Sequence, residues 1–217
     1  RYCFNASTIK PTPLIDKIRI AGEVGYGAIE LWHDDLDAYI ADGGTLADVK
    51  SALADQGLAV PTTIYLAGWF DAPPEAYPVV LEECKRRMGQ AAELGAPYII
   101  ASPAAGEADY ALGAVRYGEL LEIGATMGVK PSMEFLGFVD QFTTIEDALD
   151  VMTRCGHSDA TTILDPFHVF RGGGDMESIL KLKSGQVAIS HFNDTPAIPP
   201  REEQHDHNRV MPGEGHL

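Results

Sequence analysis

The sequence predicts an α/β protein, a (β/α)8 TIM barrel, from three observations. Short apolar runs alternate with longer segments in which apolar residues recur every three or four positions. The runs return at intervals of roughly 25 to 35 residues, the spacing of repeated βα units around a parallel sheet. Gly25, Gly57, Gly95, Gly128 and Gly156 each stand between a helical segment and the next strand, where a left-handed residue closes a helix at little steric cost.

The elements follow in order. Residues 2–5, 28–32, 59–65, 98–101, 130–135, 161–164 and 187–192 read as strands, being short, apolar and rich in β-branched or aromatic residues. Residues 14–24, 45–56, 76–94, 110–127, 145–154 and 176–182 carry the helical period. Seven strands leave the barrel one β/α unit short, because residues 194–217 are polar and proline-rich and show neither period. The expectation is a single domain over residues 1–217 whose eighth unit is missing from the chain. A doubly wound open sheet is the main alternative, but a glycine-rich phosphate loop does not follow the first strand.

Composition narrows the function. With 217 residues and a hydrophobic fraction of 45%, one full core can form. Thirty-two acidic residues against sixteen basic ones give a net charge of −16, which opposes binding to nucleic acid or an anionic membrane. The longest basic run is Lys85-Arg86-Arg87. Apolar stretches fall short of the roughly 20 residues that span a bilayer. Cys3, Cys84 and Cys155 are scattered within predicted elements, so reduced thiols in a cytoplasmic protein are expected.

In a (β/α) barrel the reactive groups stand where strands end at their C-terminal side. The fifth strand ends Met133-Glu134-Phe135, the sixth Leu164-Asp165-Pro166-Phe167-His168, and the seventh His191-Phe192-Asn193-Asp194. Taken singly, Asp165 could cap a helix, Glu134 could pair with a basic residue, and His191 could be a bonded core histidine. Two carboxylates and an imidazole converging from consecutive strands instead pose an electrostatic problem that one divalent cation solves. Trp32, His33 and Trp69 end earlier strands and are candidates for a sugar-lining rim, with ordinary packing as the alternative. His205, Asp206, His207 and His216 form a His-rich tail read as an exposed loop rather than a second metal site. Arg171 and Gly172 to Gly174 read as a turn rather than a lid.

These strand ends, with Asn5, the segment from Gly25 to Leu31, and that from Arg209 to Gly215, resemble the xylose-isomerase-like barrel family, collinearly over nearly all of the chain. Within it the likeness is to the sugar-phosphate isomerases and epimerases, most of all the inosose isomerases of inositol catabolism. The resemblance implies one divalent ion, most often manganese, with magnesium, cobalt or zinc as alternatives. Its ligands would be Glu134, Asp165 and His191, with a second Glu of the eighth strand beyond residue 217; Glu214 lies in the preceding turn and is not nominated. It further implies that His168 contacts a substrate oxygen and that Arg209 faces the pocket. The expected reaction is isomerisation or epimerisation of a keto-sugar or inosose through a metal-bound enediolate, with Glu134 exchanging the proton and His168 assisting. The expected partner is a small-molecule sugar or polyol-derived ketone, and open strand edges admit a homo-oligomer. Three rivals remain: a dehydratase of a cyclic keto acid such as dehydroshikimate, a hydrolase like the abasic-site endonucleases, and a sugar-binding barrel without catalysis.

Overall fold

The computed structural model describes residues 2–217. Seven parallel strands form one sheet in chain order: β1 (Cys3–Asn5), β2 (Ala28–Trp32), β3 (Thr62–Leu66), β4 (Tyr98–Ala101), β5 (Lys130–Met133), β6 (Thr161–Leu164) and β7 (Val187–Ser190). Around it lie α1 (Leu14–Glu23), α2 (His33–Ala41), α3 (Leu46–Asp55), α4 (Tyr77–Glu93), α5 (Tyr110–Met127), α6 (Ile145–Cys155) and α7 (Pro166–Arg171). Consecutive strands joined by helices and paired with their sequence neighbours are the wiring of a (β/α) barrel. Among the described residues β1 and β7 are the outer strands of the sheet.

Two apolar layers result from strand alternation. Inside the curve, Ile64, Ile100 and Ile163 pack with Trp32, Tyr65, Ala188 and Ile189. Outside it, strand residues such as Ile29, Leu31, Ile99 and Met133 meet helix residues including Ile18, Met88, Leu120 and Val151. Tyr117 of α5 is fully buried at this second layer. Its hydroxyl lies 3.0 Å from the Pro131 carbonyl and 2.9 Å from that of Thr161, and it accepts the Thr161 N–H at 3.1 Å, tying α5 to the starts of β5 and β6.

The five glycines expected to close helices all have positive φ, from 64° at Gly57 to 89° at Gly25. Thr45 and Thr144 open α3 and α6 with reciprocal capping boxes to Asp48 and Asp147. Two helices differ from the sequence expectation. The first, α2, begins at His33 directly after β2 with no side-chain cap, so neither a loop nor a capping residue announces it. The second, α7, is six residues long, too short for a period, and starts at Pro166. The segment expected as a helix over residues 176–182 is a 3-10 helix, Met176–Lys181. Beyond β7 the chain makes two short 3-10 turns and returns antiparallel to itself at an Asp194–Val210 bridge.

Candidate active site and cation site

Asp165 follows β6 and has two jobs, one for each carboxylate oxygen. Oδ1 accepts the N–H groups of Phe167 and His168, capping α7, and the Asn193 side-chain amide at 2.9 Å. Oδ2 faces the site, 3.0 Å from Arg209 Nη2. Cap and site residue are therefore the same group. Burial opposes its ionisation, but His168, His191 and the Arg209 guanidinium together hold the carboxyl well below the usual carboxylate range.

Glu134 follows β5 and His191 follows β7, so the two side chains meet Asp165 from both flanks. His191 Nδ1 lies 3.6 Å from Glu134 Oε1 and 3.6 Å from Asp165 Oδ2. Burial pushes the Glu134 carboxyl up to about 8; His191 draws it down, and the nearby charges of Asp165 and Glu30 add to the rise. His191 is raised well above the ordinary imidazole value, because Glu30, Asp165 and Glu134 overcome its desolvation.

His168, on α7, brings a ring nitrogen into the same cluster: one ligand atom each from Glu134, Asp165 and His168 lie within 4.8 Å of one another. The Gly137 N–H donates to His168 Nδ1 at 3.2 Å, and Arg209 Nη2, which can only donate, lies 3.1 Å from Nε2, so both ring nitrogens face donors. Burial lowers this histidine to about 4, with Asp165 partly opposing and Arg209 reinforcing the fall. Gly137 allows that contact because its backbone runs against its neighbours: a Cβ there would stand 2.6 Å from Gly172 N and 2.7 Å from Arg171 Cβ. Arg209 reaches the same spot from the returning C-terminal segment, its guanidinium 4.3 Å from the Phe167 ring centroid.

Hard carboxylate oxygens and imidazole nitrogens, buried and crowded around one point, fit a divalent cation. The tightest set of ligand atoms is Glu134, Asp165 and His168, while His191, expected from the sequence in place of His168, brings Nδ1 to 3.6 Å from both acids. In the His-rich tail the His205 and His207 rings stack 6.0 Å apart, while His216 packs edge-on against Phe170.

Two rim candidates are corrected. Trp32 does face inward, 6.0 Å from the Tyr65 ring, with Lys10 Nζ 5.5 Å above it. His33 is the next residue and points the other way. It is fully buried, with Nδ1 at 2.7 Å from Gln90 Oε1 and Nε2 at 2.9 Å from Thr63 Oγ1. Trp69 is fully buried too, wedged against Phe70 and Tyr117. The aromatic partner that sequence reasoning misses is Tyr65. It also misses Glu30, a 2% exposed carboxylate in the middle of β2. A charged residue inside the run Ala28-Ile29-Glu30-Leu31-Trp32 was the available signal.

The comparisons agree with this fold. The family model of the xylose isomerase-like TIM barrel matches residues 18–217. An inosose isomerase of Bacillus velezensis is 26% identical over 224 residues, covering 99% of this chain and 79% of that protein. A 3-dehydroshikimate dehydratase of Pseudomonas aeruginosa is 27% identical over 208 residues, spanning 93% of this chain but 32% of that longer protein. Among solved structures, the IOLI protein with a bound zinc atom superposes with a TM-score of 0.90 at 24% identity, over 99% of this chain and 80% of that one. The chain belongs to the xylose isomerase-like TIM barrel family.

Proposed function

We propose that this chain isomerises or epimerises a small keto-sugar or inosose by moving a proton at a carbon beside the carbonyl, with one divalent cation bound by Glu134, Asp165 and His191. Its inosose isomerase relatives support this reading. The observation that carries the reaction is the gathering of Glu134, Asp165, His168 and His191 at one end of the sheet.

A bound cation supplies positive charge next to the oxygen on which negative charge grows when the proton leaves. The remaining steps belong to side chains. Glu134 takes the proton and returns it, being a buried carboxylate that stands beside His191 and Asp165. His168 stays neutral because burial lowers it to about 4, and Arg209 Nη2 lies 3.1 Å from its Nε2. The remaining Arg209 donors suit a substrate carbonyl or hydroxyl oxygen. Trp32 and Tyr65 supply an apolar wall for the C–H face of a sugar ring.

A cyclic keto-acid dehydratase is the second reading, favoured by the Pseudomonas aeruginosa relative. It uses the same proton abstraction followed by loss of hydroxide. Nucleic acid is not the proposed partner, because the run Lys85-Arg86-Arg87 is neutralised: Arg86 pairs with Asp37 and Glu83, and Arg87 with Asp34 and Glu83. No helix among the described residues is long and apolar enough to cross a membrane. Three free thiols fit a cytoplasmic location.

The test is a parallel assay of inososes, keto-sugars and dehydroshikimate in deuterated solvent with manganese, zinc, magnesium or cobalt added. We expect deuterium to enter at the carbon beside the carbonyl of one keto-sugar or inosose. Glu134→Gln should lower that exchange by about 100-fold or more, with metal content measured alongside. Full activity of Glu134→Gln would remove the proton-transfer role, and aromatisation of dehydroshikimate alone would select the second reading.

A further inference from the structure

We propose that Glu30 is a positioning carboxylate that fixes the orientation and tautomer of His191, so that His191 presents Nδ1 to the cation. The inference rests on the cation site proposed above and extends it to a residue outside the ligand set.

Glu30 sits on β2, across the barrel from His191 at the end of β7. His191 Nε2 is 3.1 Å from Glu30 Oε1 and 3.0 Å from Oε2. A carboxylate only accepts there, so Nε2 carries the hydrogen and the opposite nitrogen is left for the cation. That nitrogen, Nδ1, is the one 3.6 Å from both Glu134 and Asp165.

Glu30 is itself held. Asn5, its register partner on β1, donates Nδ2–H to Oε2 at 2.6 Å. The Asn5 carbonyl oxygen in turn accepts from Ser7 N, Ser7 Oγ and Trp32 Nε1 at 2.9, 2.7 and 3.4 Å, which fixes which end of the amide faces Glu30. A line of bonds thus runs from the β1 turn through Asn5 and Glu30 to His191. Both Glu30 oxygens are engaged along it, which separates Glu30 from the acids that face the cation.

Removing such a partner costs a metal site about 10- to 100-fold in affinity. The experiment compares zinc affinity, by chelator competition, in the wild-type chain and in Glu30→Gln, which keeps the shape and removes the charge. In parallel, 15N NMR of the zinc-loaded wild type reads the two His191 nitrogens. We expect a loss of about 10- to 100-fold for Glu30→Gln with metal-free circular dichroism unchanged, a smaller loss in the same direction for Asn5→Ala, and a protonated Nε2 with zinc on Nδ1. Should Glu30→Gln fail to fold, Asn5→Ala and the wild-type spectrum decide the matter. Equal zinc affinity in well-folded Glu30→Gln, or zinc on Nε2, overturns the role of Glu30 and leaves the cation site standing. A wild-type chain that binds no divalent cation overturns both.

Discussion

Arg209 Nη2 stands 3.0 Å from Asp165 Oδ2, so in the metal-free protein a guanidinium supplies the positive charge that the buried acid requires. Asp165 is only 1% exposed, which makes that neutralisation worth more than a surface pair. Arg209 and the cation therefore serve the same carboxylate.

This relationship predicts metal rescue. Arg209→Met should lower the stability of metal-free protein by about 1–3 kcal/mol, the cost of leaving a charged acceptor short of a partner. A divalent cation should then raise the melting temperature of the variant more than that of the wild type. Calorimetry with and without metal measures both, and equal metal-induced shifts would show that the two charges act independently.

Gly137→Ala tests the backbone contact that holds His168. The added Cβ would meet Gly172 N at 2.6 Å, Arg171 Cβ at 2.7 Å and the His168 carbonyl at 2.8 Å, so the loop must move and take its N–H with it. Expected are a destabilisation of about 1–3 kcal/mol and a fall in kcat at unchanged metal content. Metal analysis beside steady-state kinetics separates this outcome from loss of the cation.

His33 predicts an acid-side loss of stability. In the folded chain burial lowers it to about 4, with the Gln90 hydrogen bond partly offsetting, whereas the unfolded chain titrates near 6.5. As pH falls between those values the unfolded chain takes up a proton that the folded chain refuses, so the contribution is complete above about 6.5 and lost toward 4. Between pH 7 and pH 5 this amounts to about 2 kcal/mol. Urea titrations at both pH values should show His33→Gln losing correspondingly less than wild type, while His168, shifted the same way, keeps a residual slope.

Tyr117→Phe removes the hydroxyl shared by the starts of β5 and β6. The buried Thr161 N–H loses its acceptor, so a cost of about 1–3 kcal/mol is expected. Equilibrium denaturation reads it directly, and an unchanged midpoint would mean that the strands do not depend on this bond.

How much of this was legible in the chain differs by element. The bounds 28–32, 98–101, 161–164 and 110–127 are those observed; the last three are followed by glycine or by a polar residue and proline, and 28–32 by the charged run His33-Asp34-Asp35. Thr62 begins β3 three residues later than the apolar run begins, because Ala59 makes only an isolated bridge to Ala28. Glu134, Asp165 and His191 were readable because strand ends in this fold share one rim. His33 and Trp69 were misplaced for a related reason: side-chain direction alternates at every residue, and the end of a strand blurs that alternation. Glu30 needed the partner across the barrel, 161 positions away in sequence, to show its purpose.

Asp194 gathers the returning segment through backbone alone: its oxygens accept the N–H groups of Thr195, Gly213, Gly215 and Leu217. These bonds, led by that from Leu217, hold its carboxyl down at about 2. Two of these amides belong to glycines that the path requires: Gly213 has a φ of 88°, and a Cβ at Gly215 would run into Asp194. Arg209 rides on that path, so its place beside Asp165 depends on a carboxylate that never touches it.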